Sequence, residues 1–227
     1  MALAFHGPVH VLQASRREGA DVQHSSSRAN RQLILKTVCV FCAASPGANP
    51  VYVQQANAMG RFLAETGRRV IYGGGRTGLM GALAEGALGA GGEVIGIMPK
   101  HLVDLEVAHT GLAELHVVAS MHERKALLAE LSDGFLAMPG GLGTMEELFE
   151  IWTWGQLGLH RKPYGLFEVN GFFAPLLTFL DHAVSEGFIR PEYRGLLVVD
   201  TVPSALIARM EAMSPPALPR WMEKSGT

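Results

Sequence analysis

Three groups of residues in this chain of 227 have the types and spacing to do chemistry. The first is a pair of glycine loops, Tyr72-Gly73-Gly74-Gly75-Arg76-Thr77-Gly78-Leu79-Met80-Gly81 and Pro139-Gly140-Gly141-Leu142-Gly143-Thr144, each placed where a short apolar run hands over to a helical pattern. Glycine lets backbone amides approach an anion closely, and the start of the following helix adds unsatisfied N–H groups, so each loop could cradle a phosphate. Tight packing of helix on strand also favours glycine, so one loop alone says little; two at equivalent strand ends say more. The second group is Arg124 and Lys125. Ser120-Met121-His122-Glu123 reads as a capping box, which puts both cations in a first helical turn, where they oppose the helix dipole. That placement makes sense if they face a ligand phosphate or a carboxylate, and otherwise they are an exposed pair on a solvated face. The third is Glu147, the last residue of a second capping box, Thr144-Met145-Glu146-Glu147. It could serve only as a helix cap. Near a helix start it also favours the ionised form, which suits stabilising a developing positive charge or orienting water better than donating a proton.

Other patterns carry less. Gly73, Gly75 and Gly78 fit G-x-G-x-x-G, but the motif follows the second strand of the folded unit and the next strand ends Ile97-Met98-Pro99 without a carboxylate for a ribose hydroxyl, which argues against a dinucleotide. Cys39-Val40-Phe41-Cys42 matches C-x-x-C, yet residues three apart on a strand point to opposite faces. Nine histidines fall in no ligand spacing, so no metal is expected. Leu148, Ile151, Trp152, Trp154 and Leu157 make an apolar surface too broad for one helix stripe, which reads as core and in part as a subunit interface.

The elements that must position these residues alternate. Short β-branched runs at Thr37 to Cys42, Arg69 to Tyr72, Glu93 to Met98, Glu114 to Val118, Gly134 to Met138, Pro163 to Phe167 and Leu196 to Val199 read as strands. Between and after them, helical patterns cover Val51 to Thr66, Gly78 to Leu88, Met121 to Leu131, Thr144 to Leu157, Phe172 to Glu186 and Ser204 to Met213. The expected fold is α/β and Rossmann-like: a mostly parallel sheet of about seven strands with helices on both faces and ligands at the carboxyl ends of its strands. Residues 1–35 lack a sustained period and read as a poorly ordered tail; 36–213 form the folded domain; 214–227, with Pro215, Pro216 and Pro219, read as an irregular tail.

Nineteen Lys and Arg against 21 Asp and Glu leave a formal charge of −2, so no basic field is available to collect nucleic acid or anionic membrane. Every hydrophobic stretch is broken before bilayer length, and the amino terminus lacks a secretory pattern, so a cytoplasmic protein is expected. Two cysteines are too few for a disulfide framework. The charged fraction of 18% is below that usual for soluble domains, which suggests surface buried against another copy.

Gly73-Gly74-Gly75 with Gly78-Leu79-Met80-Gly81, Met121-His122-Glu123-Arg124-Lys125, and Pro139 through Glu147 closely resemble the signatures of the "lonely guy" phosphoribohydrolases, cytokinin-activating enzymes once labelled lysine decarboxylases. The resemblance runs from about Lys36 to Met213 and includes Thr153-Trp154-Gly155-Gln156-Leu157-Gly158. It implies a homodimer that needs no cofactor and hydrolyses the N-glycosidic bond of an adenosine 5′-monophosphate, plain or N6-prenylated, with Arg124 and Glu147 catalytic. It further implies phosphate binding at Gly140, Gly141, Gly143 and Thr144, and substrate contacts from Gly74, Glu106, Met121, Lys125, Glu146 and Thr153. The family usually shows Cys-Gly-Ser-Ser after its first strand. This chain has Cys42-Ala43-Ala44-Ser45, leaving Ser45 as the hydroxyl contact. Relatives of the same sheet resemble molybdenum-cofactor carriers, which makes a non-catalytic nucleotide or cofactor carrier the alternative. Pyridoxal-dependent decarboxylation would need a Schiff-base lysine, and Lys100, Lys125 and Lys162 lie in no recognisable setting for one.

Overall fold

The computed structural model describes residues 33–103, 108–109, 111–112 and 114–213. In chain order the elements are β1 (Thr37–Phe41), α1 (Val51–Glu65), β2 (Arg69–Tyr72), α2 (Gly78–Gly89), β3 (Val94–Pro99), α3 (Lys100–Val103), β4 (Glu114–Val118), α4 (Met121–Leu131), β5 (Gly134–Ala137), α5 (Leu142–Gln156), β6 (Tyr164–Phe167), α6 (Ala174–Ser185), α7 (Pro191–Arg194), β7 (Leu197–Asp200) and α8 (Pro203–Glu211). All seven strands and six long helices fall within two residues of the positions the periodicity implies. The four-residue helices α3 and α7 are too short for a periodic pattern and are additions to it.

The strands form one sheet in the order β4-β3-β2-β1-β5-β6-β7, with every pairing parallel. Helices cover both faces, so the central strands are apolar throughout: β1 reads Thr-Val-Cys-Val-Phe with all five residues buried. Strand alternation divides them between two cores. Val38, Val40 and Cys42 pack with α1, α2 and α8, whereas Cys39 and Phe41 pack with α4, α5 and α6. The two free thiols therefore lie on opposite faces, as a strand requires. Edge strand β4 is only half-buried.

Leu35, placed in the tail by its lack of pattern, is fully buried in the first core, and its amide donates to Glu211 of α8 at 3.0 Å. The packed unit thus includes Leu35, because one large apolar side chain suffices to anchor a segment that shows no period. The tail readings for residues 1–32 and 214–227 lie outside the described residues.

Chain direction across the sheet reverses at β1. The strands β1 to β4 run outward on one side and β5 to β7 on the other, which leaves a crevice at the carboxyl ends of β1 and β5 where the connecting loops diverge. Both glycine loops border it. The first also builds it: the Thr77 hydroxyl donates to the Ala44 carbonyl at 3.1 Å, the Met80 amide donates to the Ala43 carbonyl at 3.1 Å, and Gly78, at φ +61, touches the Ala44 backbone where a Cβ would collide. Behind it, α1 and α2 approach backbone to backbone. A Cβ on Gly60 would strike the Leu83 carbonyl, and one on Gly86 the Asn57 carbonyl. A Gly60→Val variant is accordingly expected to destabilise the protein by about 2 kcal/mol or more, measured by urea unfolding, because the obstacle is backbone that cannot step aside.

Candidate active site

A cavity of about 370 Å3 occupies the crevice, walled by the end of β1 and its loop through Ser45, by Gly73 and Met80, by Arg124 of α4, and by Gly141, Gly143, Thr144 and Glu147 of α5. Two helix starts supply its charge. The α4 start is built as the capping box requires: the Ser120 hydroxyl accepts the Glu123 amide at 3.2 Å, while the Glu123 carboxylate accepts the amide of Ala119 at 2.8 Å, one residue before the cap. Arg124 then reaches inward beneath β3. Its Nε donates to the Ile97 carbonyl at 3.1 Å and its terminal nitrogen stands 3.4 Å from Glu147 Oε1. Both side chains are nearly buried, at 11% and 12% exposure. Met121 is exposed and does not line the cavity, though its sulfur lies 3.9 Å from the guanidinium.

The start of α5 differs from the sequence expectation. The helix begins at Leu142 with Gly141 as N-cap, two residues before Thr144, and no side chain caps it. Thr144 is instead buried within the first turn against Gly140. Glu147 consequently sits in the second turn, free of capping, and turns toward Arg124. The first-turn amides of Leu142, Gly143 and Thr144 precede any intrahelical acceptor, and Gly143 and Thr144 line the cavity, so this helix start could receive an anion. Around Gly141 and Gly143, both exposed, nothing lies within 4 Å of where a Cβ would stand, so packing does not demand glycine there and the backbone amides remain approachable.

The sequence points to a helix start that favours ionised Glu147; burial acts the other way. Burial pushes its carboxyl above the ordinary carboxylate range; Arg124 and, more weakly, Lys125 pull it back, while Glu146 and Glu150 push it further up. Burial also keeps the thiols of Cys39 and Cys42 protonated well above neutrality, and Cys42, although it borders the cavity, is no nucleophile.

The remaining implied contacts separate. Ser45, Gly141, Gly143 and Thr144 line the cavity with Arg124 and Glu147, and Gly140 borders a second one. Gly74 does not face it: at φ +79 it packs toward Leu115 and Met98, and its carbonyl accepts the His109 amide at 2.8 Å. Its neighbour Gly73 is the cavity residue, because a Cβ there would collide with the Arg124 guanidinium. The run of three glycines marked the loop, but no sequence signal tells which of them faces a ligand. Lys125 and Glu146 lie on the flank and pair with each other at 2.6 Å. Thr153 is exposed, about three turns from the start of α5, and does not line the cavity. Glu106 lies outside the described residues. Sequence reasoning also missed Met80 and the anchoring Ile97 carbonyl, both ordinary apolar positions by pattern.

The second cavity, about 400 Å3, shares Ala43, Ser45 and Gly141 with the first and extends under Tyr52, Leu79, Pro139 and Phe172. Among the described residues no group of three or more His, Cys, Asp or Glu is placed to hold a metal ion. Lys162 is committed to structure, donating to the Ala129 and Glu130 carbonyls at the end of α4.

Residues 80–210 match the family model described as "possible lysine decarboxylase". A cytokinin riboside 5′-monophosphate phosphoribohydrolase of Rhodococcoides fascians is 52% identical over 165 residues, covering 72% of this chain and 83% of that protein. An Arabidopsis thaliana protein of the same name is 44% identical over 180 residues, covering 79% and 83%. Among solved structures, the molybdenum cofactor binding protein of Rippkaea orientalis superposes with a TM-score of 0.58 at 21% identity, covering 78% of this chain and 95% of that one. The molybdenum cofactor carrier protein of Chlamydomonas reinhardtii gives 0.57 at 22%, covering 78% and 96%. At such identity these two share the fold alone. With the cavity, the Arg124–Glu147 pair and these relatives together, the chain belongs to the "lonely guy" phosphoribohydrolase family, whose family model still carries the lysine decarboxylase description.

Proposed function

We propose that the protein hydrolyses the N-glycosidic bond of adenosine 5′-monophosphate, plain or N6-prenylated, releasing the free base and ribose 5-phosphate. One observation carries this reading: a nearly buried carboxylate, paired with a guanidinium at 3.4 Å, faces a cavity whose rim is an uncapped helix start. The phosphate is seated on the first-turn amides of α5, which supplies binding energy far from the reacting bond and fixes the sugar. As the C1′–N9 bond breaks, its electron pair leaves with the base and the ribose becomes oxocarbenium-like. Ionised Glu147 stabilises that cation and aligns the attacking water, whose oxygen bonds to C1′; the proton released on attack balances the one the departing base takes up. Arg124 keeps Glu147 from rising further in pKa and stands between the carboxylate and the substrate's anionic end.

The curated relatives from Rhodococcoides fascians and Arabidopsis thaliana carry this activity in their names, and both cover more than two thirds of this chain. A decarboxylase gains no support, since Lys125 and Lys162 are committed to ion pairs and helix carbonyls. We further infer a cytoplasmic homodimer. Met121, Leu142 and Phe149 leave apolar surface on α4 and α5 uncovered, and two separate buried thiols suit a reducing compartment. No helix among the described residues is long and apolar enough to cross a membrane.

Three outcomes are expected. Base release from AMP, followed chromatographically, falls by about 100-fold or more in Glu147→Gln, as for loss of a group acting on transition-state charge; wild-type release from that variant would remove the residue from the mechanism. In the parent protein, kcat/KM rises with pH along a limb whose midpoint lies above the ordinary carboxylate value of 4.5, because burial raises Glu147 and only its ionised form works. By the same linkage Glu147 contributes a stability that declines as pH climbs from that value through the folded one, since the native state there holds the extra proton. Finally, Gly143→Ala stabilises the fold by about 0.5–1 kcal/mol, as alanine does within helices, while raising KM for AMP but not for adenosine. Equal effects on both substrates would place the phosphate elsewhere.

A further inference from the structure

The two helices that deliver the charged pair are joined by a second set of ions outside the cavity. Successive residues on a helix point about 100° apart, so Arg124 and Glu147 face the cavity while their neighbours Lys125 and Glu146 face the flank. There the Lys125 ammonium lies 2.6 Å from Glu146 and 3.0 Å from Glu150, one turn further along α5. The lysine is only 12% exposed despite its length, and its stem borders a narrow crevice together with Glu147, Glu150, Leu128 and Ile151. It does not line the cavity. Both helices rest on the sheet rather than on each other's backbone: α4 packs on β3 and also on β1, β2 and β4, and α5 on β5 and β1. Across the gap at the level of the site, the direct links between the two helices are side chains: Leu128 with Leu148 and Ile151 in the core, and the Lys125 ion cluster outside it.

We propose that Lys125 is a positioning residue: clamped between Glu146 and Glu150, it locks α4 to α5 so that Arg124 and Glu147 stand at their working separation, and it does not bind the nucleotide. This rests on the hydrolase reading for its consequence in turnover, and on the ion cluster alone for its geometry. The clamp also sets the charge around Glu147. That carboxyl is faced by Arg124 and Lys125 from α4, by Glu146 and Glu150 from its own helix, and by the neutral thiols of Cys39 and Cys42 from β1. Two cations thus serve three carboxylates. Removing Lys125 takes away the charge that neutralises the two flanking acids, leaving Glu147 beside both of them with Arg124 alone.

A test uses the full-length protein as Lys125→Met, Lys125→Arg and the double variant Glu146→Gln with Glu150→Gln. Two quantities are read: base release from AMP across pH, and the 13C titration of the Glu147 carboxyl by NMR without substrate. Lys125→Met is expected to lower kcat roughly ten- to hundredfold, as misplacement of reacting groups does. Its KM for AMP should stay within about twofold of the parent, because no substrate contact is lost, and the Glu147 midpoint should move to higher pH. Lys125→Arg restores both toward the parent. The double variant lowers kcat too, since the lysine has lost its anchors, but shifts the midpoint the opposite way because two acidic neighbours are gone. The proposal is overturned if Lys125→Met raises KM for AMP while kcat and the NMR midpoint hold, which is the signature of a phosphate contact. If Lys125→Met does not fold, the opposite midpoint shift and kcat loss of the double variant decide the matter. A parent protein inert toward AMP would refute the hydrolase reading, and the NMR midpoints would still judge the clamp.

Discussion

The burial of one carboxylate against one guanidinium, Glu147 against Arg124, is the interaction around which the rest of the site is arranged. An ionised carboxylate taken out of water is costly, and here the cost is visible as a pKa above the usual range despite the nearby positive charge. The fold tolerates it by holding Arg124 from three sides: the Ile97 carbonyl beneath, Glu147 opposite, and a glycine at position 73 that leaves room for the guanidinium. A carboxylate kept short of solvent interacts more strongly with a developing sugar cation than an exposed one does. The destabilisation that Glu147 imposes on the native state is thus the same property that suits it to its proposed role.

The two glycine loops, so alike in sequence, do different work. The loop after β2 is mainly structural: the Tyr72 hydroxyl is tied to the Gly75 carbonyl at 3.2 Å, Gly78 lies on the Ala44 backbone, and Thr77 and Met80 bind carbonyls of the β1–α1 loop. It carries the wall that presents Ser45. The loop after β5 is open around Gly141 and Gly143, starts α5 without a side-chain cap, and presents its amides to the cavity. Both outcomes follow from absence of a Cβ, in one case letting backbone approach backbone and in the other letting an anion approach amides.

Charge on α4 and α5 shows a similar division by helix face. Arg124 and Glu147 form the inner pair; Lys125 with Glu146 and Glu150 forms the outer one. Adjacent residues of a motif therefore separate by helix face, Arg124 and Glu147 toward the cavity and Lys125 and Glu146 toward the flank.

Much of this was legible in the chain itself. Strand-length apolar runs alternating with helical periods specify a parallel sheet covered on both faces, because only that arrangement buries both sides of β1 and its neighbours; the opposite facing of Cys39 and Cys42 follows from strand geometry alone. The motifs pointed to Arg124, Glu147 and the glycine loop after β5, all of which border the cavity. What they could not supply was direction. Capping boxes are defined by short-range spacing, and the second one misplaced the start of α5, which begins at Leu142, two residues before Thr144, while Thr144 is buried against Gly140. Which of three glycines faces the cavity, whether a lysine points to substrate or to a neighbouring helix, and whether burial or a helix start governs a carboxyl all depend on atoms distant in sequence. Local pattern reports the period of a segment; only the packed structure, by bringing α4, α5 and the end of β1 to one crevice, decides what each side chain meets.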